Sequence, residues 1–252
     1  MSVPSVFVSH GAPSLILEPT PTRAFLEQLG QTFGRPRAVV CATAHWETAL
    51  PSVSLAERPA MIYDFIGFPE ELYDVRYPAP GDPPLARRIL ELLAAAGIEA
   101  DGDPARGFDH GVWSPLALAC PDGKVPVVSM SVQPRLDAAH HFAMGKALAP
   151  LRDEGVLILG SGSFTHNLRE IGRHAEHAVQ FEEWLSTAVE QGRVDDLLEW
   201  KARAPLAGRN HPTPEHLLPL FIPLGAAGGI KGRVLNRHFE FGSLSMAACV
   251  WG

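Results

Sequence analysis

Eleven histidines stand in this 252-residue chain, and several occupy positions where an imidazole can do chemistry. His10 ends the apolar run Val6-Phe7-Val8-Ser9, His45 follows VVCATA, and His166 lies just past VLILGSGSFT. Open parallel sheets build their sites at the carboxyl ends of strands. His110 sits in GFDHGVW at the start of a helical pattern, and His211 and His216 bracket the turn HPTPEH with Glu215 beside them. One histidine at a strand end is ordinarily a hydrogen-bonded structural residue, but several at equivalent ends point to a shared crevice. Neutral imidazole is a common metal ligand and a base that titrates near neutrality, so that crevice would hold a metal ion and an acid/base residue. His140, His141, His174 and His177 fall in or beside polar helical segments and read as solvated surface residues, and His238 is left without a role.

The elements that must position these rings follow from the hydrophobic pattern. Short β-branched runs over 5–9, 38–44, 125–131 and 156–160 read as buried parallel strands. Helical periodicity covers 22–33, 84–96, 138–152, 178–190 and 214–226, with Pro84 and Pro214 suited to a first turn. The alternation predicts one α/β domain over 1–252, with a central, mostly parallel, mixed sheet flanked by helices on both faces. The metal site would lie at the carboxyl ends of its strands. Residues 233–241 and 243–250 read as two strands turning at Gly242, in antiparallel fashion. The Pro-rich stretch 63–84 is a long loop carrying Tyr63, Phe65, Phe68, Tyr73 and Tyr77, either closing over an aromatic ring or packing on itself.

Composition narrows the partners. A net charge of -7 without a Lys/Arg run argues against nucleic acid. No segment reaches the roughly 18 apolar residues of a membrane span, and the N-terminus lacks a signal-peptide pattern. Cys41, Cys120 and Cys249 are odd in number, far apart and set in apolar stretches, which predicts buried thiols and a cytoplasmic protein.

Competing chemistries find little support. GSGSF around Ser161 lacks the final glycine of a nucleophile elbow, and Walker A, G-x-G-x-x-G and H-E-x-x-H patterns are missing from the sequence. A metal site must therefore be assembled from distant loops.

Taken in order, SHGAP, TAHWET, GFDHGVW, SGSFTHNL, HPTPEHLLPL and the closing GSLSM resemble the class III extradiol ring-cleavage dioxygenases, most closely the 4,5-DOPA dioxygenase branch of the protocatechuate 4,5-dioxygenase superfamily. The likeness runs from about residue 7 to 247. It implies an α/β fold and a mononuclear site that opens a catechol ring beside its two hydroxyls, using O2. The resemblance makes His10, His45 and His216 the metal ligands, with Glu215 or His166 as alternatives in the shell. It makes His166 the acid/base residue and His110 a second pocket histidine that orients substrate or oxygen. Trp46, His211, Tyr63 and Phe65 are the expected substrate-pocket residues. One divalent ion is implied, Fe(II) for turnover, with Zn(II) able to occupy the same ligands in purified protein. The partners are then a small catecholic substrate and O2, in a monomer or homo-oligomer. The rival readings are a zinc-dependent hydrolase using Glu47 or Glu215 as base, and a non-catalytic metal-binding relative. A carboxylated catechol would need a cation, for which Arg76 and Arg209 are the candidates.

Overall fold

Apolar runs too short for helices form the middle of one sheet, and the capped amphipathic segments between them cover it. In the computed structural model, which describes residues 2–173 and 175–252, the first half of the chain gives β1 (Ser5–Ser9), α1 (Pro21–Phe33), β2 (Ala38–Glu47), β3 (Ser52–Ser54), α2 (Glu71–Asp74), α3 (Pro83–Ala95) and β4 (Asp101–Asp103). The middle gives α4 (His110–Ala119), β5 (Val127–Val132), α5 (Ala138–Asp153), β6 (Val156–Gly162) and α6 (Glu176–Gln191). Short helices α7 (Val194–Leu198), α8 (Trp200–Arg203), α9 (Ala207–Asn210) and α10 (Phe221–Ala226) precede β7 (Arg233–Leu235), β8 (Phe239–Glu240), β9 (Leu244–Ser245) and β10 (Ala248–Trp251). Asp82, Asp109 and Asp137 cap α3, α4 and α5 by accepting a first-turn N–H.

Eight strands form one mixed sheet in the order β4-β3-β5-β2-β6-β1-β10-β7, and the expected α/β fold is observed. Its centre, β5-β2-β6-β1, is parallel, while β10 and β7 join antiparallel at one edge. Side chains alternate across it: Val6 and Val8 pack with Leu26 of α1 and Leu116 of α4, whereas Phe7 packs with Phe181 of α6 and Leu224 of α10.

Three expectations change. The helix foreseen over 214–226 is broken into a 3-10 turn at Leu218–Leu220 and α10. Pro219 and Pro223 remove donors, and the His216 carbonyl accepts from Ser163 N–H instead of closing a helical turn. The reason lies in β6: a Cβ on Gly160 or Gly162 would come within 2.1 Å of the Pro219 or His216 carbonyl oxygen. GSG is thus the bed on which 216–223 lies, and Ser161 points to the other side.

The C-terminal pair of long strands becomes four short ones, because Asn236 and Phe241 adopt left-handed φ of 52° and 49° and interrupt the ladders. The pairings that remain are antiparallel, with Gly242 in the turn between β8 and β9.

His141 and His177 are buried, not solvated, while His140 is half-buried and His174 lies outside the described residues. His141 Nδ1–H donates to the Asp137 carbonyl at 2.8 Å and its Nε2 accepts from Gln133 N–H at 3.0 Å, tying α5 to the end of β5. Cys41 and Cys249 are buried as expected, and Cys120 is half-buried.

Two outcomes test this packing. Gly162→Ala should destabilise the fold by about 1–3 kcal/mol, because the obstacle is backbone and cannot rotate away; an unchanged thermal midpoint would show the segment is free to lift. Burial pushes the His141 pKa down to about 4, so the folded state resists protonating it. Stability should therefore fall as pH drops from 6.5 towards 4, with up to about 3 kcal/mol from this ring. In urea melts His141→Gln should lose less over that range than the parent.

Candidate metal centre

The parallel strands and their flanking loops bring His10, His45, His110, His166 and His216 to one cavity of about 520 Å³ at the carboxyl ends of β1, β2 and β6. His10 leaves β1 with its N–H bonded to the Gly162 carbonyl, and Gly11, at φ 67°, turns the chain away. His45 belongs to β2, which runs past Ala44 to Glu47. Its pairing with β5 lapses between Ala42 and Glu47, where Thr43 Oγ1 accepts from His45 N–H and donates to Asp109. Asp109 is fully buried, caps α4 and pairs with Arg106, which also donates to the His45 carbonyl. One carboxylate so fixes the backbones that carry His45 and His110.

Four of the five rings are held by their outer nitrogen, while His166 Nδ1 lies 4.0 Å from Glu215 Oε1. Ser161 Oγ donates to the Gly111 carbonyl, so it must accept from His10 Nδ1–H, 2.9 Å away. His45 Nδ1–H meets Asp64 Oδ2 at 3.1 Å and His110 Nδ1–H meets Asp64 Oδ1 at 2.9 Å. His216 Nδ1–H meets Glu215 Oε1 at 2.9 Å. In neutral rings each Nε2 is then a bare lone pair.

Those of His10 and His45 lie 3.0 Å apart. Two lone pairs at that separation repel unless a cation or proton sits between them. The ring centroids of His10, His45 and His216 form a triangle with sides of 4.9, 5.0 and 5.5 Å, and one ligand atom from each lies within 4.8 Å of the others. The three can hold a metal ion.

Two other trios are as close, His45-Asp64-His110 and His166-Glu215-His216. In both, the carboxylate already accepts from an imidazole Nδ1–H, which makes it a poorer ligand than the free Nε2 set. Glu215 therefore stands behind His216. Neither it nor Glu47 lines the cavity, whereas Asp64, the acid that does, has both oxygens engaged.

Burial disfavours the charged form of His10, His110, His166 and His216. His10 and His216 are driven well below the ordinary imidazole range first by loss of solvent and then by neighbouring imidazoles. His166 falls to about 4 through burial and the nearby His211, with Glu215 opposing. His110 falls too, through burial, although its bond to Asp64 pulls the other way. For Asp64 burial alone would raise the pKa, but the hydrogen bonds from His110 and His45 outweigh it and hold the carboxyl well below its usual range. His166 stacks on His216 at 3.4 Å and 9°, with its backbone N–H on the Asn210 carbonyl.

This donor set on this fold matches a known family. The model for the catalytic LigB subunit of aromatic ring-opening dioxygenase matches residues 6–251. The chain belongs to this family. Its members use a metal, and the enzyme class is the class III extradiol dioxygenases. A 4,5-DOPA dioxygenase extradiol from Beta vulgaris is 42% identical over 95% of this chain and 92% of its own length. That from Escherichia coli K12 is 40% identical over 97% and 93%. The crystal structure of the uncharacterized protein JW3007 from Escherichia coli K12 superposes with a TM-score of 0.82 at 37% identity, covering 99% of this chain and 100% of that one.

Three expected pocket residues do not line the cavity. Trp46 points to the opposite side of β2 from His45 and lies under the Arg106 guanidinium at 4.9 Å. His211 is buried between Phe181 and Trp200, with Nε2–H on the Phe164 carbonyl. Tyr63 packs on Phe65, Tyr73 and Trp113 and donates its hydroxyl to the Val75 carbonyl. Phe65 does line the cavity, joined by Phe68 from the same loop.

The residue that sequence reasoning missed is Asp64. It hides in an aromatic loop, and only the fastening of that loop to 107–113 brings it to the histidines. Ile62 N–H bonds to the Phe108 carbonyl, Phe108 N–H to that of Ala60, and Trp113 Nε1–H to that of Ile62. Asp64→Asn should weaken metal binding by about 10- to 100-fold in chelator competition, since an amide cannot accept from both imidazoles at full strength. Unchanged affinity would show that the carboxylate does not set the rings.

Proposed function

We propose that this enzyme opens a catechol ring beside its two hydroxyls, with His10, His45 and His216 holding a ferrous ion in the cytoplasm. The observation that carries the reading is the triangle of inward Nε2 atoms, each with its Nδ1–H anchored on Ser161, Asp64 or Glu215. Three ligands from one side leave room for an organic substrate and oxygen together. When bound, ferrous iron supplies the redox change that a catechol and O2 need, which zinc lacks.

The remaining histidines handle protons and pose. His166, kept neutral by burial, takes a proton from a substrate hydroxyl and returns it to the product. His110, with Nδ1–H committed to Asp64, offers Nε2 as an acceptor that orients a hydroxyl. Phe65 and Phe68 face the cavity and meet the aromatic ring. The names of the similar plant and bacterial proteins and the free thiols support the activity and the compartment respectively.

Protein loaded with Fe(II) under nitrogen and then given O2 should consume oxygen with a catechol, and the zinc-loaded form should not. His166→Ala should lower kcat by about 10²- to 10⁴-fold at unchanged metal content. Full activity in that variant would remove His166 from proton transfer, and absence of oxygen uptake with every catechol would overturn the reading.

A further inference from the structure

The cavity has two unlike ends. Its polar lining is imidazole, the exposed Leu168, Ile171 and Phe241 mark its mouth, and Leu244, Phe65 and Phe68 complete the apolar lining. Leu168, Ile171 and Phe241 are 60%, 42% and 44% exposed, which is unusual for large apolar side chains drawn from separate segments onto one opening. Phe241 holds a left-handed backbone at φ 49°, which a bulky residue adopts only when its surroundings impose it. Here the Phe241 carbonyl accepts from Gly172 N–H at 2.9 Å and that of Gly242 accepts from Ala175 N–H at 3.2 Å, so the segment with Ile171 and the turn with Phe241 are laced together.

Among the described residues the cavity lining offers no counter-charge. Among the described residues that line the cavity none is Lys or Arg, and both Asp64 oxygens accept from imidazoles. Arg76 donates to the Tyr63 hydroxyl and to the Tyr73 and Val75 carbonyls, and Arg209 pairs with Glu170. Arg169 and Arg173, beside Leu168 and Ile171 in sequence, are exposed and do not line the cavity. A carboxylate carried on the substrate ring would enter an apolar collar without a partner, whereas an alkyl or aryl group would bury its surface there.

We propose that the substrate is a catechol whose ring substituent is uncharged and apolar, and that Leu168, Ile171 and Phe241 select for it. The proposal rests on the ring-opening reading above and sets this chain apart from a use that requires an amino-acid or carboxylate tail.

The test pairs catechols of matched length: 4-ethyl- and 4-propylcatechol against 3,4-dihydroxyphenylacetate, 3,4-dihydroxyphenylpropionate and DOPA. Each is measured twice, as kcat/KM by oxygen uptake in iron-loaded protein and as equilibrium binding by calorimetry under nitrogen. Each added methylene should improve binding by about fourfold, and carboxylated members should fall at least about tenfold below their alkyl counterparts. Ile171→Arg, and separately Leu168→Lys, should raise the carboxylate-to-alkyl ratio by about tenfold, both sites being exposed enough to accept a charge without unfolding. Carboxylated catechols bound as well as, or better than, their alkyl counterparts by the parent protein would overturn the proposal. Absence of turnover with every member would overturn the ring-opening reading, while the binding series would still decide the preference.

Discussion

Around the cavity, burial pushes the imidazoles of His10, His110, His166 and His216 below their ordinary range, and the hydrogen bonds behind the rings act on that neutral set. Charged rings at this separation would repel each other where burial weakens screening by water. Burial removes the charge, and the outward Nδ1–H bonds to Ser161, Asp64 and Glu215 then decide which nitrogen keeps its lone pair. The result is an electron-rich point lined by imidazole that can hold a cation. A buried site of this kind binds metal by geometry and tautomer, and its affinity depends on the hydrogen-bond acceptors behind the rings as much as on the rings.

The sheet supplies the rigidity that such a site needs. β1 and β6 run side by side, placing His10 next to Ser161, and the glycines of β6 let the segment bearing His216 rest on the strand. β2 brings His45 from the other side, with Asp109 gripping its bulged end and the start of α4 together. The rings thus hang from backbone that is hydrogen-bonded on both sides.

Much of this was legible in the sequence because it is local. Strand runs, capped helices and the placement of His10, His45 and His110 at their ends follow from periodicity and turn chemistry over a few residues. The unreadable parts depend on contacts between distant segments. Nothing in GSGSF announces that its glycines are spacers for a chain 55 or so residues later, and so 214–226 looks helical. The burial of His141 and His177 depends on helix faces whose polar neighbours disguise them. Trp46 directly follows His45 and His211 shares a short turn with His216, yet strand alternation and the end of α9 turn them into the packing. Asp64 gives no signal of its own among the aromatics of its loop.

Asp64 also has a consequence of another kind. One carboxylate holds both His45, at the ion-binding triangle, and His110, at the cavity wall, so the two rings share a single unit of negative charge. If a hydroxyl donated to His110 Nε2, the His110 Nδ1–H would become a stronger donor and draw more on Asp64, leaving less charge for His45, whose Nε2 would become a weaker electron donor. Occupancy of the wall and electron density at the triangle are therefore linked through one shared carboxylate.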